Sequence, residues 1–217
     1  MKKLLFLVML SVFMIGMNSC NRCNKDKEND NAQEQVDSTD TAKLDFARLV
    51  AADRQEMFVI AGDDYRWYET CMRLNNYLDE ENDGTLAELV NVFQAVVARS
   101  ESSFDTKVYK FQHFSDGTNL KDSIAGFWVE DEPMNDDAIQ LTYEQAYEKL
   151  METNIPKPHS RYVTLRKQVG PKEANPQYIF GNVREQVYVD AVTGEVLNYN
   201  PAFGPDLNLG TPLGEWP

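Results

Sequence analysis

LTYEQAYEKLM, residues 141–151, opens a periodicity of three to four that gives way, ten residues later, to a periodicity of two. Thr142 is placed to cap the amide three residues on, Gln145 reaches back, and Leu141 can staple toward Ala146, so the spacing predicts a helix start. Tyr143, Ala146, Tyr147, Leu150 and Met151 form one apolar stripe opposite Glu144, Glu148, Lys149 and Glu152, and Asn154, Pro156 and Pro158 end it. Tyr and Met at this spacing are core packing against a sheet rather than a cofactor face. From Arg161 to Lys167, Val163 and Leu165 alternate; Gln177–Phe180 is rich in β-formers; Val187 and Val189 point together; Val196–Tyr199 follows a turn at Thr193-Gly194. The order is one half-buried helix, then antiparallel strands.

A helix opening L-T-x-E-Q-A and a strand running Val189-Asp190-Ala191-Val192-Thr193-Gly194-Glu195-Val196 resemble the PepSY domain over residues 141–199. Asp190 and Gly194 suit a tight turn, Asp by bonding local backbone and Gly by accepting positive φ. The resemblance implies a helix laid across a small antiparallel sheet. It also implies either an inhibitory or chaperoning segment of secreted metallopeptidase precursors or a free-standing envelope module, and it carries no catalytic residue. The proline-rich connection and Gln168–Pro176 depart from the compact family pattern.

The first half reads on the same plan. Phe46, Leu49, Val50, Met57 and Ile60 mark a helix that Gly62 ends. An aromatic run, Tyr65–Leu78, reaches the polar turn Asp79–Gly84. Residues 85–98 fit a helix by period and a strand by residue type; strand is chosen because Asp83-Gly84 between two β-capable runs is a hairpin signal. Thr106–Phe114 and Ser123–Glu130 are expected to pair across Asp116-Gly117-Thr118. The predicted class is α+β, two tandem units each with a helix packed on a small antiparallel sheet. They span residues 46–137 and 138–200, with a tail at 201–217, in an arrangement similar to the fold of the β-lactamase inhibitor protein. Strict alternation puts Tyr65, Trp67, Glu69 and Cys71 on one face and Arg66, Tyr68, Thr70 and Met72 on the other. An aromatic on each face leaves one for a partner, with Phe203, Leu209, Leu213 and Trp216 of the tail partly covering that surface.

At the N-terminus, Lys2 and Lys3 precede an apolar run, Leu4–Met17, too short to span a bilayer and followed by Asn18-Ser19-Cys20. Residues 1–19 are read as a signal peptide. The segment resembles a bacterial lipoprotein signal, which implies acylation of Cys20 and a membrane partner through that lipid. Asn21, in place of Asp, points to an outer-membrane lipoprotein, periplasmic or surface-facing. Residues 20–45, acidic and poor in aliphatics, read as a flexible spacer.

The chain has 217 residues and a net charge of −14; removing residues 1–19 takes away two lysines and leaves 19 basic against 35 acidic residues, or −16. Such a chain repels a phosphate backbone, so nucleic acid is not an expected partner. Cys23 and Cys71 are too few for a disulfide framework, and Cys71 reads as a buried apolar residue. Neither His113 nor His159 stands in a catalytic motif. Asp79, Glu81, Asp83 and Gly84 match the start of a calcium loop, but Val90 occupies the position of its bidentate Glu. Glu130–Asp137 reads as a charged linker. No catalytic, cofactor-binding or metal-ligating residue is assigned, and no cofactor is expected; Cys20 is the lipid attachment. The leading function is a lipid-anchored, non-enzymatic envelope module presenting a sheet face to a protein or peptide. A peptidase inhibitor or regulator and an enzyme with an unrecognised site are the alternatives.

Overall fold

Asp45 begins the ordered architecture by accepting a hydrogen bond from the Arg48 amide at 2.9 Å, the N-cap of helix α1 (Phe46–Ala61). A computed structural model describes residues 43–100 and 103–205, with the backbone alone at Asp136. The segment expected to be a signal peptide, Cys20, Cys23, most of the expected spacer and residues 206–217 of the tail lie outside the described residues. After α1 come β1 (Tyr65–Leu74), β2 (Leu86–Ser100), β3 (Ser103–Phe114), β4 (Asn119–Ala125) and β5 (Asp131–Glu132). A 3-10 turn at Asp136–Ala138, α2 (Tyr143–Met151), β6 (Tyr162–Gln168), β7 (Gln177–Asn182), β8 (Glu185–Asp190) and β9 (Val196–Leu197) complete the chain. No described helix is long and apolar enough to cross a membrane.

The two tandem helix-plus-sheet units expected from the sequence give way to one nine-stranded antiparallel sheet, ordered β4-β3-β2-β1-β6-β7-β8-β9, with β5 paired to β6. The seam is β1 against β6, from Glu69↔Arg166 to Arg73↔Tyr162. Its physical reason lies in the backbone: a β1 edge left open would keep a row of N–H and C=O groups unpaired. Thr70↔Leu165 and Met72↔Val163 also bring the buried sides of both strands onto one face, so the two halves share a single core.

Both helices lie on that face. The stripe expected for α1 buries Phe46, Leu49, Val50 and Met57, and Phe46 meets the ring of Tyr178 edge-on at 6.1 Å. On α2 the capping box forms as predicted, and Tyr143, Ala146, Tyr147 and Leu150 are buried. Residues 86–100 are strand because both edges are paired, to β1 and to β3. Gly194 has φ of 75°, and the Asp190 carboxylate accepts from the amides of Val192 and Thr193, so the 190–194 turn forms as read.

Three local expectations are corrected. A β-bulge between Trp67 and Glu69 adds a residue opposite Phe93 and Val92, so Trp67 shares its face with Thr70, Met72 and Leu74, not with Glu69 and Cys71. The hairpin at Asp116-Gly117 is tight, with the Phe114 amide bonded to the Thr118 carbonyl, so β4 begins at Asn119 and ends before the predicted 123–130 segment does. The stretch read as a charged linker contains β5, and its Asp131 is buried.

Candidate functional site

Four polar residues occupy core positions on the helix-bearing face. Asp53 follows Leu49 and Val50 on the buried stripe of α1, and Thr70, Asn91 and His113 take inward positions on β1, β2 and β3. They form a directed chain. The Trp67 indole N–H donates to Thr70 Oγ1 at 3.2 Å, Thr70 donates to Asn91 Oδ1, and Asn91 Nδ2 donates to Asp53 Oδ2 at 2.7 Å. His113 Nε2 lies 2.9 Å from Asp53 Oδ2, and its Nδ1 lies 2.6 Å from Asn119 Oδ1. Asn119 spends its own Nδ2–H on the Gly117 carbonyl, so its oxygen faces the ring. Both imidazole nitrogens therefore face an oxygen, an arrangement that favours the protonated ring. The Asp53 bond is the largest cause raising the His113 pKa, against the lowering effect of burial. All four are buried, and the cluster fastens α1 to three strands.

The opposite face carries no helix among the described residues, and a second ionic cluster sits at its centre. Glu69, Cys71 and Arg166 stand side by side across the β1–β6 seam, and Asp131 closes over them. Cys71 Sγ donates to Glu69 Oε1 at 2.6 Å, Arg166 Nη1 lies 3.6 Å from Asp131 Oδ1 and 3.9 Å from Glu69 Oε2, and the Trp128 indole donates to Asp131 Oδ2 at 3.1 Å. Asp131 Oδ1 makes no hydrogen bond among the described residues. Burial first, and then neighbouring Glu69, push the Asp131 carboxyl up to about 6. Burial and the same glutamate push the Cys71 thiol well up, so it stays protonated rather than nucleophilic. A carboxyl near 6 beside a second acid is the electronic part of an acid–base pair, but the Asp131 side chain is wholly enclosed. Its contact with Arg166 adds to the β5–β6 pairing that joins this segment to the sheet.

One end of this helix-free face is open and apolar. The register places Val96, Phe104, Val108 and Ile124 on it, with Phe127 following β4. Phe104 is 66%, Ile124 56% and Phe127 72% exposed. Every residue of β4 is exposed, and its outer edge carries no described strand. Lys110 Nζ stands 5.9 Å from the Trp128 ring at the inner border of the patch.

The residues weighed for chemistry in the sequence are dispersed. His113 is inside, while His159 is at the surface with Nδ1 3.0 Å from the Asp79 carboxylate. In the loop considered for calcium, Asp83 accepts from the Thr85 amide and Asn82 from the Gly84 amide, so those side chains serve the turn itself. Cys71 is half-buried, with a polar partner rather than the apolar surroundings expected, and is a free thiol. Of the tail, Asn200–Gly204 turns back on itself, with Lys172 N–H bonded to the Ala202 carbonyl.

Sequence reasoning passed over Asp53 and Asn91 and found no catalytic context for His113, although each left a signal: a polar residue at an inward position of an otherwise apolar pattern, as in Leu89-x-Asn91-x-Phe93 and Tyr109-x-Phe111-x-His113. Asp131 left none, lying in a run of acids. No family model, curated relative or solved structure matches the chain.

Proposed function

We propose that this chain is a lipid-anchored binding module of the bacterial cell envelope, tethered through Cys20 to the outer membrane, that presents the helix-free face of its sheet to a protein partner. One observation carries the reading: exposed Ile124 lies on β4, whose outer edge pairs with no described strand, with exposed Phe104 on the same face of β3 and exposed Phe127 just after β4. Large apolar side chains clustered beside an open edge fit an extended partner segment added as a further strand. Main-chain hydrogen bonds would give such a segment affinity, and contacts at alternate residues would give it specificity. Leu120 and Ile124 face the same way on β4, so the partner segment is one with apolar residues at every second position.

A photo-crosslinking residue at position 127, in the full chain in its own membrane, tests this. A partner adduct is expected from 127, lost on Ile124→Asp, and absent when the probe replaces exposed Phe58 on α1. No adduct at 127, or one indifferent to Ile124→Asp, would remove the basis for the reading.

A further inference from the structure

At the other end of the helix-free face, Arg73, Tyr77, His159, Arg161, Tyr162 and Asn182 line a cleft of about 390 Å³, a volume within the range of small-ligand sites. Its floor comes from the β1–β6 seam, where Arg73 is the cross-strand partner of Tyr162. One register step from Val163↔Phe180 brings Tyr162 beside Gly181, which offers no side chain to cover the ring. Nor can a larger residue stand there: Gly181 has φ of 116°, and a Cβ would sit 1.9 Å from the Glu185 carbonyl oxygen. Tyr162 is accordingly 58% exposed, with a bare aromatic face held by a strand.

The wall is built by the proline-rich connection that the helix–strand pattern did not explain. Leu78 N–H bonds the Ser160 carbonyl at 2.9 Å, fixing the connection against the β1 end, and His159 stacks on Tyr77 with ring centres 4.2 Å apart and planes 3° apart. The Asp79 carboxylate accepts a hydrogen bond from His159 Nδ1, which leaves Nε2 turned away from that bond. Both guanidinium groups are anchored through Nε, Arg73 to Glu88 Oε2 and Arg161 to the Leu74 carbonyl, each at 2.9 Å. The cleft thus combines an uncovered ring with planar, pre-positioned donors and acceptors from Arg73, Arg161, His159 and Asn182.

We infer that this cleft binds an uncharged saccharide, one pyranose ring lying on Tyr162 and its hydroxyls meeting the arginines, His159 and Asn182. The C–H face of a pyranose carries slight positive charge and meets the negative face of an aromatic ring, while adjacent hydroxyls match planar paired donors. Charge weighs against an acidic ligand: Arg73 and His159 already have carboxylate partners in Glu88 and Asp79, Arg161 is bonded through Nε to a carbonyl, and the chain has a net charge of −14. The site is separate from the apolar patch and does not depend on it.

Calorimetric titration of the full chain in detergent tests this, using hexasaccharides of α-1,4-glucose, β-1,4-glucose, β-1,4-mannose and β-1,4-N-acetylglucosamine, with a uronate hexamer as the charged arm. At least one uncharged hexamer is expected to bind in the micromolar to millimolar range. Tyr162→Ala should weaken it at least tenfold, while Tyr162→Phe, which keeps the ring, stays within threefold; unchanged melting of both variants shows that the fold is intact. Binding of the uronate alone, no binding up to 10 mM (about −2.7 kcal/mol), or binding that survives Tyr162→Ala would overturn the inference. Crosslinking at position 127 reads the other surface, so either result can fail without the other.

Discussion

His113 on β3 and Asp53 on α1 are joined at 2.9 Å inside the protein, and because Asn119 turns its oxygen to the other ring nitrogen, both neighbours favour the cationic ring. Its pKa lies above the ordinary 6.5, with the Asp53 bond as the leading cause. A raised folded-state pKa contributes stability that is complete below the unfolded value and is lost as pH rises through the raised one. Urea midpoints should therefore fall as the pH is raised above 6.5, and His113→Gln should flatten that fall. Asp53→Ala leaves the imidazolium without its carboxylate and should cost about 3 kcal/mol or more. A wild-type midpoint constant over this range would contradict the cationic assignment.

Asp131 titrates in a different window. With a folded pKa of about 6 against roughly 3.9 unfolded, the native state holds the extra proton between those values, and ionisation penalises the fold above them. Asp131→Asn keeps an acceptor for Trp128 and carries no charge. It should raise stability by about 1–2 kcal/mol at pH 7.5 and leave it nearly unchanged at pH 4. Equal destabilisation at both pH values would show that the carboxylate, not its burial, matters to the fold.

Gly194→Val probes the turn that the sequence pattern emphasised. At φ of 75° a β-branched residue is strained, whereas its Cβ would stand 3.5 Å from Leu141 Cδ2, an ordinary contact. The loss, about 1–3 kcal/mol, is therefore conformational, and Gly194→Asn should lose less because Asn tolerates left-handed backbone. Thermal melting of the two variants separates them; equal losses would point to packing instead.

Cys20→Ala tests the anchor. The variant should accumulate as unprocessed precursor or as soluble protein, and mass spectrometry of the native chain should find acyl groups on residue 20. Membrane partition of a shortened, acylated Cys20→Ala species would rule the lipoprotein reading out.

Legibility followed the physics of each segment. Helix stripes, the capping box and the 190–194 turn are local, so 141–151 and 187–196 announced them. The β1–β6 seam is not local: whether an edge stays open depends on what lies across it, and Met72 opposite Val163 leaves no trace in either strand alone. The bulge at Trp67 was hidden for a related reason, since an inserted residue shifts faces without changing composition. The buried polar chain was half legible, through polar residues at apolar positions, but its connectivity required the register. The exposure of Tyr162 was not legible in residues 161–167, because Gly181 beside it belongs to another strand.

The seam also sets the order in which this chain can complete itself. Residues 69–73 wait for residues 162–166, nearly a hundred positions later, before the sheet's middle closes. Loop closure over that distance makes the step slow relative to the hairpins on either side. Until it happens, each half displays a bare strand edge able to pair with another copy. Synthesis delivers the chain from its N-terminus, so the first half spends this interval alone, and holding that edge apart from its neighbours becomes a task for the folding environment rather than for the finished protein.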